Sequence, residues 1–538
     1  AFDADDPDIV AAGGWDTGVF LTTDGGFSWV LVTDPIDGGG MSATPPHLPR
    51  PWYAYFDHES VSGDGTSMYV GTRGRGVWRV EFGPSPVADA DGPYETPEGT
   101  DVPLDATGSF DPTGNIVSYE WDFDEDGLYD DAAGETAPFD PVGPYVGQDG
   151  VYPIRLKVTN DDGLADSDGS LVTVTNVPPI VDAVSDAPVD ENSLVTVSAT
   201  LTDPGWLDYL WAEIDWGDGT VPEVMTNVSS ENVRPDAVYT FTASHIYGDN
   251  GVFTAEVCGH DDDDVTCVTI DLVVDNVDPT TEIDESGSVA GCAEDAFIAH
   301  AGDDVTFSGR STDPGSDDLD LTWSWGDGTA DVTTTYLVNP PNPDPYPSPS
   351  IQPRDVTDEQ VHAFAGACLY EVTFTAVDDD LGSSFDTTDV FIVGNADLIR
   401  SAGYWYNQFR KIKFFTEDEL LCYLAMINHM SAVFSEISDA DSIADAKALM
   451  HPANSLGDIR VQFDRQLLAA WLNLANGAID YDEWVDTDFD TVPDTPLLAV
   501  LCDAEAARTD PTTPDAVLET WKDILEGVNL LDEDGYDS

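Results

Sequence analysis

The sequence has 538 residues, of which 41% are apolar and 10% aromatic, so it encodes several folded domains rather than a disordered chain. Lys and Arg number 18 against 105 Asp and Glu, which gives a net charge of −87. This charge excludes nucleic acid as a partner and argues against anionic membrane surfaces, because both require Lys and Arg. Two explanations of the acidity stay open: the carboxylates bind divalent cations, or they keep the surface hydrated in high salt.

Residues 1–84 contain short apolar segments separated by glycine turns. The segment TTDGGFSW, from Thr22 to Trp29, fits the Asp-box pattern and resembles the repeats of sialidase-like β-propellers. The resemblance implies that Asp24 caps a turn, that Gly26 allows a tight backbone and that Trp29 packs beneath it. A closed propeller needs at least about four blades, so we predict a partial β-propeller segment here. The chain starts in the middle of a strand pattern, and we expect it to be a piece of a longer precursor.

A Trp followed by an acidic turn recurs through the middle of the chain. It reads WDFDEDG from Trp121, WGDGT from Trp216 and WGDGT from Trp325, at spacings of 95 and 109 residues. Alternating apolar residues precede each Trp, which predicts a strand with the Trp in the core, and the Asp-Gly step that follows predicts a tight turn. Each unit also has an Asp-Pro turn upstream (FDPTG, TDPGW and TDPGS) and closes on an acidic hairpin.

These features resemble the PKD (polycystic kidney disease) domain, whose hallmark is a Trp-Asp-Phe-Gly-Asp-Gly turn. The resemblance implies an immunoglobulin-like β-sandwich for each unit. We therefore predict a mostly β, multidomain protein with three PKD-like sandwiches in tandem, preceded by the partial propeller segment and followed by a small helical bundle. The predicted domains are residues 1–84, 85–177, 178–278, 279–395 and 396–538.

The first PKD-like unit contains the sharpest chemical motif, DFDEDGLYD. It places Asp122, Asp124, Asp126 and Asp130 at positions one, three, five and nine, with Gly127 at position six. A calcium ion takes six to eight oxygen ligands, and alternate residues of a tight loop supply them. We predict a calcium site here; the alternative is a solvated acidic turn. The run Asp261 to Asp264 in the second unit is interpreted as a solvated hairpin tip, with cation binding as the alternative.

Near residue 396 the apolar period changes from 2 to 3.6, which predicts helices. Thr416 and Glu419 form a capping box, and an apolar stripe from Leu420 to Ile437 follows it. A second helix is predicted from Ser455 to Gly477, and Pro496 and Pro514 mark the first turns of two more.

Two segments of this region carry further resemblances. RSAGYWYNQF, from Arg400, resembles the Gly-Tyr-Trp-Lys-Asn segment of helical C-terminal modules in secreted bacterial surface proteins, with Tyr406 in place of the Lys. DTDFDTVPD resembles the calcium loops of thrombospondin type 3 repeats and dockerins, with Thr491 where Gly is usual. It predicts a second calcium site, whose ligands are Asp486, Asp488, Asp490 and Asp494.

The six Cys form one pair in each of three modules: Cys258 with Cys267, Cys292 with Cys368, and Cys422 with Cys502. We predict these three disulfides and an oxidising, extracytoplasmic location. The alternative is six buried thiols. No Cys pair has the spacing of a zinc site.

Known catalytic motifs are absent from the sequence, and the eight His are scattered, so we do not expect an enzyme. The favoured function is an extracellular structural or adhesive surface protein, stiffened by calcium and disulfides, with self-assembly into a filament as a variant. Its expected partners are other surface proteins or copies of itself, with glycans as a further candidate; no membrane-spanning segment is predicted. The alternatives are an accessory spacer or glycan-contact segment of a secreted hydrolase whose catalytic domain lies upstream, and plain adaptation to high salt.

Overall fold

Among the described residues, β-strands are the predominant secondary structure, and the α-helices are confined to the C-terminal part of the chain. The computed structural model describes all residues except 4–6, 15–17, 23–24, 28, 33–50, 58–66, 74–75, 82–84, 142, 144–145, 147, 162, 344–350, 454–456, 491 and 532–538. The described chain divides into two compact units. The first unit contains residues 1–187, 195–245 and 253–272, and the second contains residues 188–194, 246–252 and 273–538.

The N-terminal segment forms two three-stranded antiparallel sheets, each built from consecutive strands. Their strands are β1 Val10–Gly14, β2 Gly18–Thr22, β3 Val30–Val32, β4 Pro51–Asp57, β5 Ser67–Thr72 and β6 Gly76–Glu81. Ile9, Leu21, Met68 and Val70 belong to one small hydrophobic cluster that connects the two sheets. Whether they are propeller blades stays a prediction.

The predicted Asp-box is described only in part, since Asp24 lies outside the described residues. Gly26 has a φ of +103°, a conformation that favours glycine, and its N–H donates to Thr22 Oγ1 at 2.9 Å. Trp29 donates from Nε1 to the Gly26 carbonyl at 3.1 Å but is 43% exposed. The Trp29 ring therefore lies against the turn, with its Cζ2 atom 3.9 Å from the position of a Cβ on Gly26, but the side chain is not buried.

The first β domain has a five-stranded sheet in the order β10-β9-β12-β13-β7 and a smaller β11-β8 sheet. The edge strand β7 runs parallel to β13, whereas the other neighbours in the larger sheet are antiparallel. Its strands are β7 Tyr94–Pro97, β8 Val102–Asp105, β9 Ile116–Asp122, β10 Ala132–Ala133, β11 Thr136–Phe139, β12 Gly150–Asn160 and β13 Ala165–Thr175.

The second β domain repeats this arrangement, with sheets β15-β22-β21-β17-β18 and β14-β16-β20-β19. The edge strand β15 again runs parallel to the last strand of the domain, β22. The strands are β14 Ile180–Ser185, β15 Val189–Asp190, β16 Leu194–Asp203, β17 Trp211–Asp215, β18 Glu223–Val224, β19 Thr226–Val233, β20 Asp236–Ile246, β21 Gly251–His260 and β22 Val265–Asp275.

The third β domain has sheets β24-β25-β31-β30-β27-β28 and β23-β26-β29, with β25 parallel to β31. The three larger sheets thus share the order of five strands, to which the third domain adds β24 at one edge, as expected for immunoglobulin-like sandwiches. The strands are β23 Thr280–Ile283, β24 Val289–Ala290, β25 Asp295–His300, β26 Asp304–Asp313, β27 Leu319–Ser324, β28 Val332–Tyr336, β29 Arg354–Ala363, β30 Leu369–Val377 and β31 Ser383–Val393.

The prediction of core tryptophans is confirmed, since Trp121, Trp216 and Trp325 are at most 2% exposed. The strand register shows, however, that these three Trp residues do not occupy equivalent positions in their domains. Trp121 pairs with Leu156, whereas Trp323 pairs with the matching Phe374. Trp121 therefore corresponds to Trp323, and Phe123 occupies the place that Trp216 and Trp325 take in the other two domains.

The C-terminal region contains seven α-helices and a short two-stranded ladder among its described residues. The helices are α1 Ala402–Lys411, α2 Glu417–Met430, α3 Ala432–Glu436, α4 Ile443–Leu449, α5 Ile459–Ala475, α6 Leu497–Thr509 and α7 Asp515–Val528, and the ladder strands are β32 Trp484–Val485 and β33 Thr495–Pro496. Phe391 and Val393 of β31 belong to the same hydrophobic core as the helices. The predicted boundary at residue 395 therefore separates two fold types that share one core.

The predicted helix signals agree with the structure in part. The capping box of Thr416 and Glu419 is confirmed. The apolar stripe is interrupted, because α2 ends at Met430 and α3 begins at Ala432, and Ile437 is 44% exposed. The predicted start at Ser455 lies outside the described residues; α5 begins at Ile459 with Asp458 as its N-cap.

Only one of the three predicted disulfide pairs is correct, Cys258–Cys267, which joins β21 and β22. Cys292 is bonded to Cys502, and Cys368 is bonded to Cys422. The rule of one pair for each module fails because the third β domain packs directly against the helices. Both of its cysteines therefore face helical partners, and two disulfides link these regions.

Candidate metal centres

The first predicted calcium loop brings three of its four aspartates together. A carboxylate oxygen from each of Asp122, Asp124 and Asp126 lies within 4.8 Å of one from each of the others. Asp122 is fully buried; its Oδ2 accepts from the Gly127 N–H at 3.1 Å, while its Oδ1 has no hydrogen-bond partner. Burial raises the pKa of Asp122. A buried oxygen without a donor is suited to a cation.

Asp130, the fourth predicted ligand, is exposed and is not a member of this group of three. The carboxylate that turns into the loop from this side is Asp131, which accepts from the Phe123 N–H at 2.6 Å. The aspartates at positions one, three and five of the motif therefore come together, and the one at position nine does not join them.

The carboxylates of the second predicted loop are satisfied by groups of the loop itself. Asp486 accepts from the Phe489 N–H at 2.8 Å, and Asp490 accepts from the Val492 N–H at 2.9 Å. Asp494 accepts from the hydroxyls of Thr487 and Thr495, both at 2.8 Å, and these bonds lower its pKa. Burial and the neighbouring Asp490 raise the pKa of Asp488, which is a sign of crowded negative charge.

A third group of carboxylates was not singled out from the sequence. We call Glu98, Asp203 and Asp208 the first acidic cluster: their oxygens lie within 4.8 Å of one another, and each residue is at most 3% exposed. Glu98 follows β7 of the first β domain, and the other two residues belong to the second. Asp203 Oδ1 accepts from the Gly205 N–H at 2.7 Å, whereas Asp203 Oδ2 and Asp208 Oδ1 have no hydrogen-bond partner.

The charges of the first acidic cluster are poorly compensated. Burial, with Glu98 as the next cause, raises the pKa of Asp208 to about 8. Burial and the charge of Asp203 raise the pKa of Glu98 to about 7. The backbone N–H of Val177 opposes this rise, although neither carboxylate oxygen of Glu98 accepts a hydrogen bond of normal geometry. Burial also raises the pKa of Asp203 to about 6. The cluster therefore favours either protons or a bound cation.

The second acidic cluster lies within the second unit and comprises Glu191, Asp249, Asp313, Asp317 and Asp378. Oxygens of Glu191, Asp249 and Asp317 lie within 4.8 Å of one another, as do oxygens of Asp313, Asp317 and Asp378. Asp317 is shared by both groups of three. It is 1% exposed, and neither of its carboxylate oxygens has a hydrogen-bond partner.

In the second acidic cluster, burial again raises the pKa values of the carboxyl groups. Burial, followed by the charges of Glu191 and Asp313, raises the pKa of Asp317 to about 9. Burial raises the pKa of Glu191 to about 8, although its Oε1 accepts from the Val277 N–H at 2.7 Å. Asp313 is buried and its pKa is raised to about 6, with the cation of Arg354 offsetting part of the rise.

A glycine next to each cluster shows how closely the carboxylates approach the backbone. A Cβ on Gly205 would lie 2.1 Å from Asp208 Oδ2, and a Cβ on Gly315 would lie 2.5 Å from Glu191 Oε2. Each glycine ends an Asp-Pro-Gly turn whose Asp accepts its N–H at 2.7 Å. Any side chain at these positions would enter the space between the carboxylates.

Two histidines pair with the aspartates of the WGDGT turns. His245 Nε2 lies 2.8 Å from Asp218 Oδ2 and its ring stacks on Trp216, and His362 and Asp327 repeat the contact with Trp325. These pairs tie the acidic turn to the core. Both histidine rings therefore pack against a core tryptophan.

Sequence reasoning missed the acidic clusters because each combines segments that are far apart in the chain, such as Glu98 with Asp203 and Glu191 with Asp317. The Asp-Pro-Gly motifs were interpreted as turns only, and Asp261 as part of a solvated tip, although it is 5% exposed. One sequence feature could have indicated these sites: an Asn precedes the linker proline after both the first and the second β domain. In the structure these residues, Asn176 and Asn276, donate to Asp261 and Asp378 at 3.2 and 3.1 Å.

Residues 84–175, which cover the first β domain, match the family model of the PKD domain. Among the described residues, no helix is long and apolar enough to cross a bilayer.

Several solved structures are similar at a low level. They include the ectodomain of mouse nectin-like molecule 4, with 10% identity over 57% of this chain and 99% of that chain at a TM-score of 0.23. A repeat region of a large adhesion protein has 15% identity over 57% and 74% of the two chains at a TM-score of 0.28. A Bacteroides ovatus protein in complex with a mixed-linkage heptasaccharide has 13% identity over 60% and 73% at a TM-score of 0.14.

Proposed function

We propose that this chain is a non-enzymatic extracellular protein with a structural or adhesive role, in which β domains in series present or join surfaces. The observation that carries the proposal is the double disulfide link between the third β domain and the helical region, through Cys292–Cys502 and Cys368–Cys422. Two nested covalent links keep these regions together under load. Such links persist in oxidising compartments, which supports a location outside the cytoplasm.

The PKD match of the first β domain and the common strand order support a series of three PKD-like sandwiches. Interfaces between sandwiches of this kind are small, so such a series bends unless its joints are reinforced. We propose that calcium supplies part of this reinforcement, held at the first loop by Asp122, Asp124 and Asp126. The loop from Asp486 to Asp494 is proposed as a further calcium site.

The proposed partners are copies of this chain or other surface proteins. In the second β domain, strand β19 is exposed at all eight of its residues and lies at the edge of its sheet. An exposed edge presents unpaired backbone groups to another strand, which supports self-association. Analytical ultracentrifugation and negative-stain microscopy of the purified chain, with and without calcium, test this point.

Labelling of intact cells with an antibody to this chain, combined with alkylation of free thiols before lysis, tests the location. The proposal expects surface labelling and no alkylation of the six cysteines until a reductant is added. Alkylated cysteines in freshly lysed cells, with no surface label, would refute it. If the secreted precursor hydrolyses a polysaccharide and this chain alone binds that glycan, the role of accessory segment is the correct one.

A further inference from the structure

Both acidic clusters contain buried carboxylates that no protein donor satisfies. Asp317 is 1% exposed and has no partner at either oxygen, and Asp203 and Asp208 each retain one buried oxygen without a donor. An isolated buried carboxylate is costly, and proteins resolve this cost with a partner group, a proton or a metal ion. With 18 Lys and Arg against 105 acids, cationic side chains are scarce.

The two clusters occupy equivalent places in the fold. The Glu98 N–H donates to the Thr175 carbonyl at 3.1 Å, and the Glu191 N–H donates to the Asp275 carbonyl at 3.0 Å. Each glutamate therefore lies at the end of its domain, beside the last residue of the final strand. Each faces the Asp-Pro-Gly turn of the following β domain, which supplies Asp203 in one case and Asp313 in the other.

The third β domain provides an internal comparison, because helices follow it rather than another sandwich. Here the equivalent backbone bond runs from the Ala301 N–H to the Val393 carbonyl at 2.9 Å. Alanine thus stands where Glu98 and Glu191 stand in the other two domains. The glutamate therefore occurs in the two β domains that are followed by another β domain. It is replaced by alanine in the domain that is followed by helices.

The upstream end of the first β domain shows the same contrast. Its Asp-Pro turn contains Asp111, which accepts from Asn160 Nδ2 at 2.7 Å. Asn160 occupies the position of Asp261 and Asp378 in the next two domains. An amide therefore satisfies the turn aspartate at the end that follows the two small N-terminal sheets, and a carboxylate replaces this amide where one of the three β domains precedes.

We propose that each acidic cluster binds calcium and that the bound ions join successive β domains. This deepens the proposed function, because it names the sites at which metal limits bending. Glu98, Asp203 and Asp208 hold the ion in the first unit. In the second unit Asp317 bridges Glu191 and Asp249 on one side and Asp313 and Asp378 on the other, which provides ligands for two ions that share one carboxylate.

Calcium fits these sites better than magnesium does. The ligands are carboxylates from separate segments, and calcium accepts six to eight oxygens in irregular geometry, whereas magnesium demands a near-ideal octahedron. The Asp-Pro-Gly turns leave room for the ion, since a side chain at Gly205 or Gly315 would occupy the space between the oxygens.

The proposal is tested by calorimetric titration of calcium into the full chain after a chelator has removed bound metal. Magnesium serves as a second titrant. The variants are Asp208→Asn for the first cluster and Asp317→Asn for the second; the matched controls are Asp182→Asn and Asp304→Asn, at exposed positions outside both clusters. Each cluster variant should lose sites or bind calcium roughly tenfold more weakly or worse, while the controls bind as the wild type does. Glu98→Gln and Glu191→Gln serve as a second pair if an aspartate variant fails to fold.

Hydrogen exchange locates the effect in the unmodified protein. Calcium at about ten times its dissociation constant should slow exchange of the Glu98 and Glu191 amides roughly tenfold, and exchange of the Ala301 amide should not change. Equal binding by both cluster variants and wild type, or no protection at Glu98 and Glu191, overturns the proposal. That result leaves the proposed function standing, because surface labelling and thiol alkylation test it separately.

Discussion

Cys292, which follows β24 of the third β domain, is bonded to Cys502 in α6, 210 residues further along the chain. The Cys368–Cys422 bond lies within this interval. Residues between the outer cysteines cannot extend when the chain is pulled from its ends. The nested disulfides therefore set how much of the protein can lengthen.

Reduction should release this hidden length in a single-molecule pulling experiment. At about 3.4 Å per residue, the 210-residue interval corresponds to roughly 700 Å of additional contour length. The double variant Cys292→Ser, Cys502→Ser should release most of it without reductant, leaving only the shorter segment within Cys368–Cys422 closed. A wild-type contour length that does not change on reduction would contradict the connectivity.

Glu505 provides a second test, in the helical core. It is 1% exposed and accepts hydrogen bonds from Trp471 Nε1 and the Ala432 N–H, both at 2.7 Å, and from the Ser431 hydroxyl. Its carboxylate thus satisfies the start of α3, where the apolar stripe is interrupted. Glu505→Gln would turn an amide N–H₂ towards one of these donors and should destabilise the protein by about 2–3 kcal/mol. Urea unfolding measures this, with the exposed Glu519→Gln as a control expected to change little.

The helical region shows how far sequence reasoning reaches. The Thr416 capping box could be recognised because it depends on residues three apart, and the core tryptophans because alternation precedes them. The interruption at Ser431 could not, since the carboxylate that accepts hydrogen bonds there belongs to Glu505, more than 70 residues away. The acidic clusters were missed for the same reason: Glu98 and Asp203 meet only after two domains have folded and packed together.

Acid should weaken the third β domain through Asp327. Burial favours a higher pKa for this carboxyl, but the hydrogen bonds from Thr329 and His362 outweigh burial and lower the pKa from 3.8. A lowered pKa means that Asp327 stabilises the fold above its unfolded pKa and that this contribution disappears as pH falls through the folded pKa. The stability difference between wild type and Asp327→Asn should therefore shrink below about pH 4. Urea unfolding at several pH values between neutral and acidic measures it, and a constant difference would contradict the assignment.

The aspartates of the first calcium loop should differ in how much they contribute to calcium binding. Asp124 belongs to the group of three oxygens and Asp130 does not. Asp124→Ala should therefore remove part of the calcium-dependent rise in melting temperature, whereas Asp130→Ala should leave most of it. Differential scanning fluorimetry with calcium or a chelator measures both. Equal losses in the two variants would restore the nine-residue spacing as the correct description of the site.

Gly315 tests whether the space inside the second acidic cluster is used. A Cβ there would lie 2.5 Å from Glu191 Oε2 and 2.6 Å from Asp317 Oδ2, so Gly315→Ala should displace these carboxylates and reduce the stabilisation that calcium confers. Gly527→Ala in α7 is the matched control, because a Cβ at Gly527 meets no atom within 4 Å. In a helix this change should stabilise the protein by about 0.5–1 kcal/mol with or without calcium. If Gly315→Ala keeps the full calcium-dependent gain in melting temperature, the ion does not occupy the space beside this glycine.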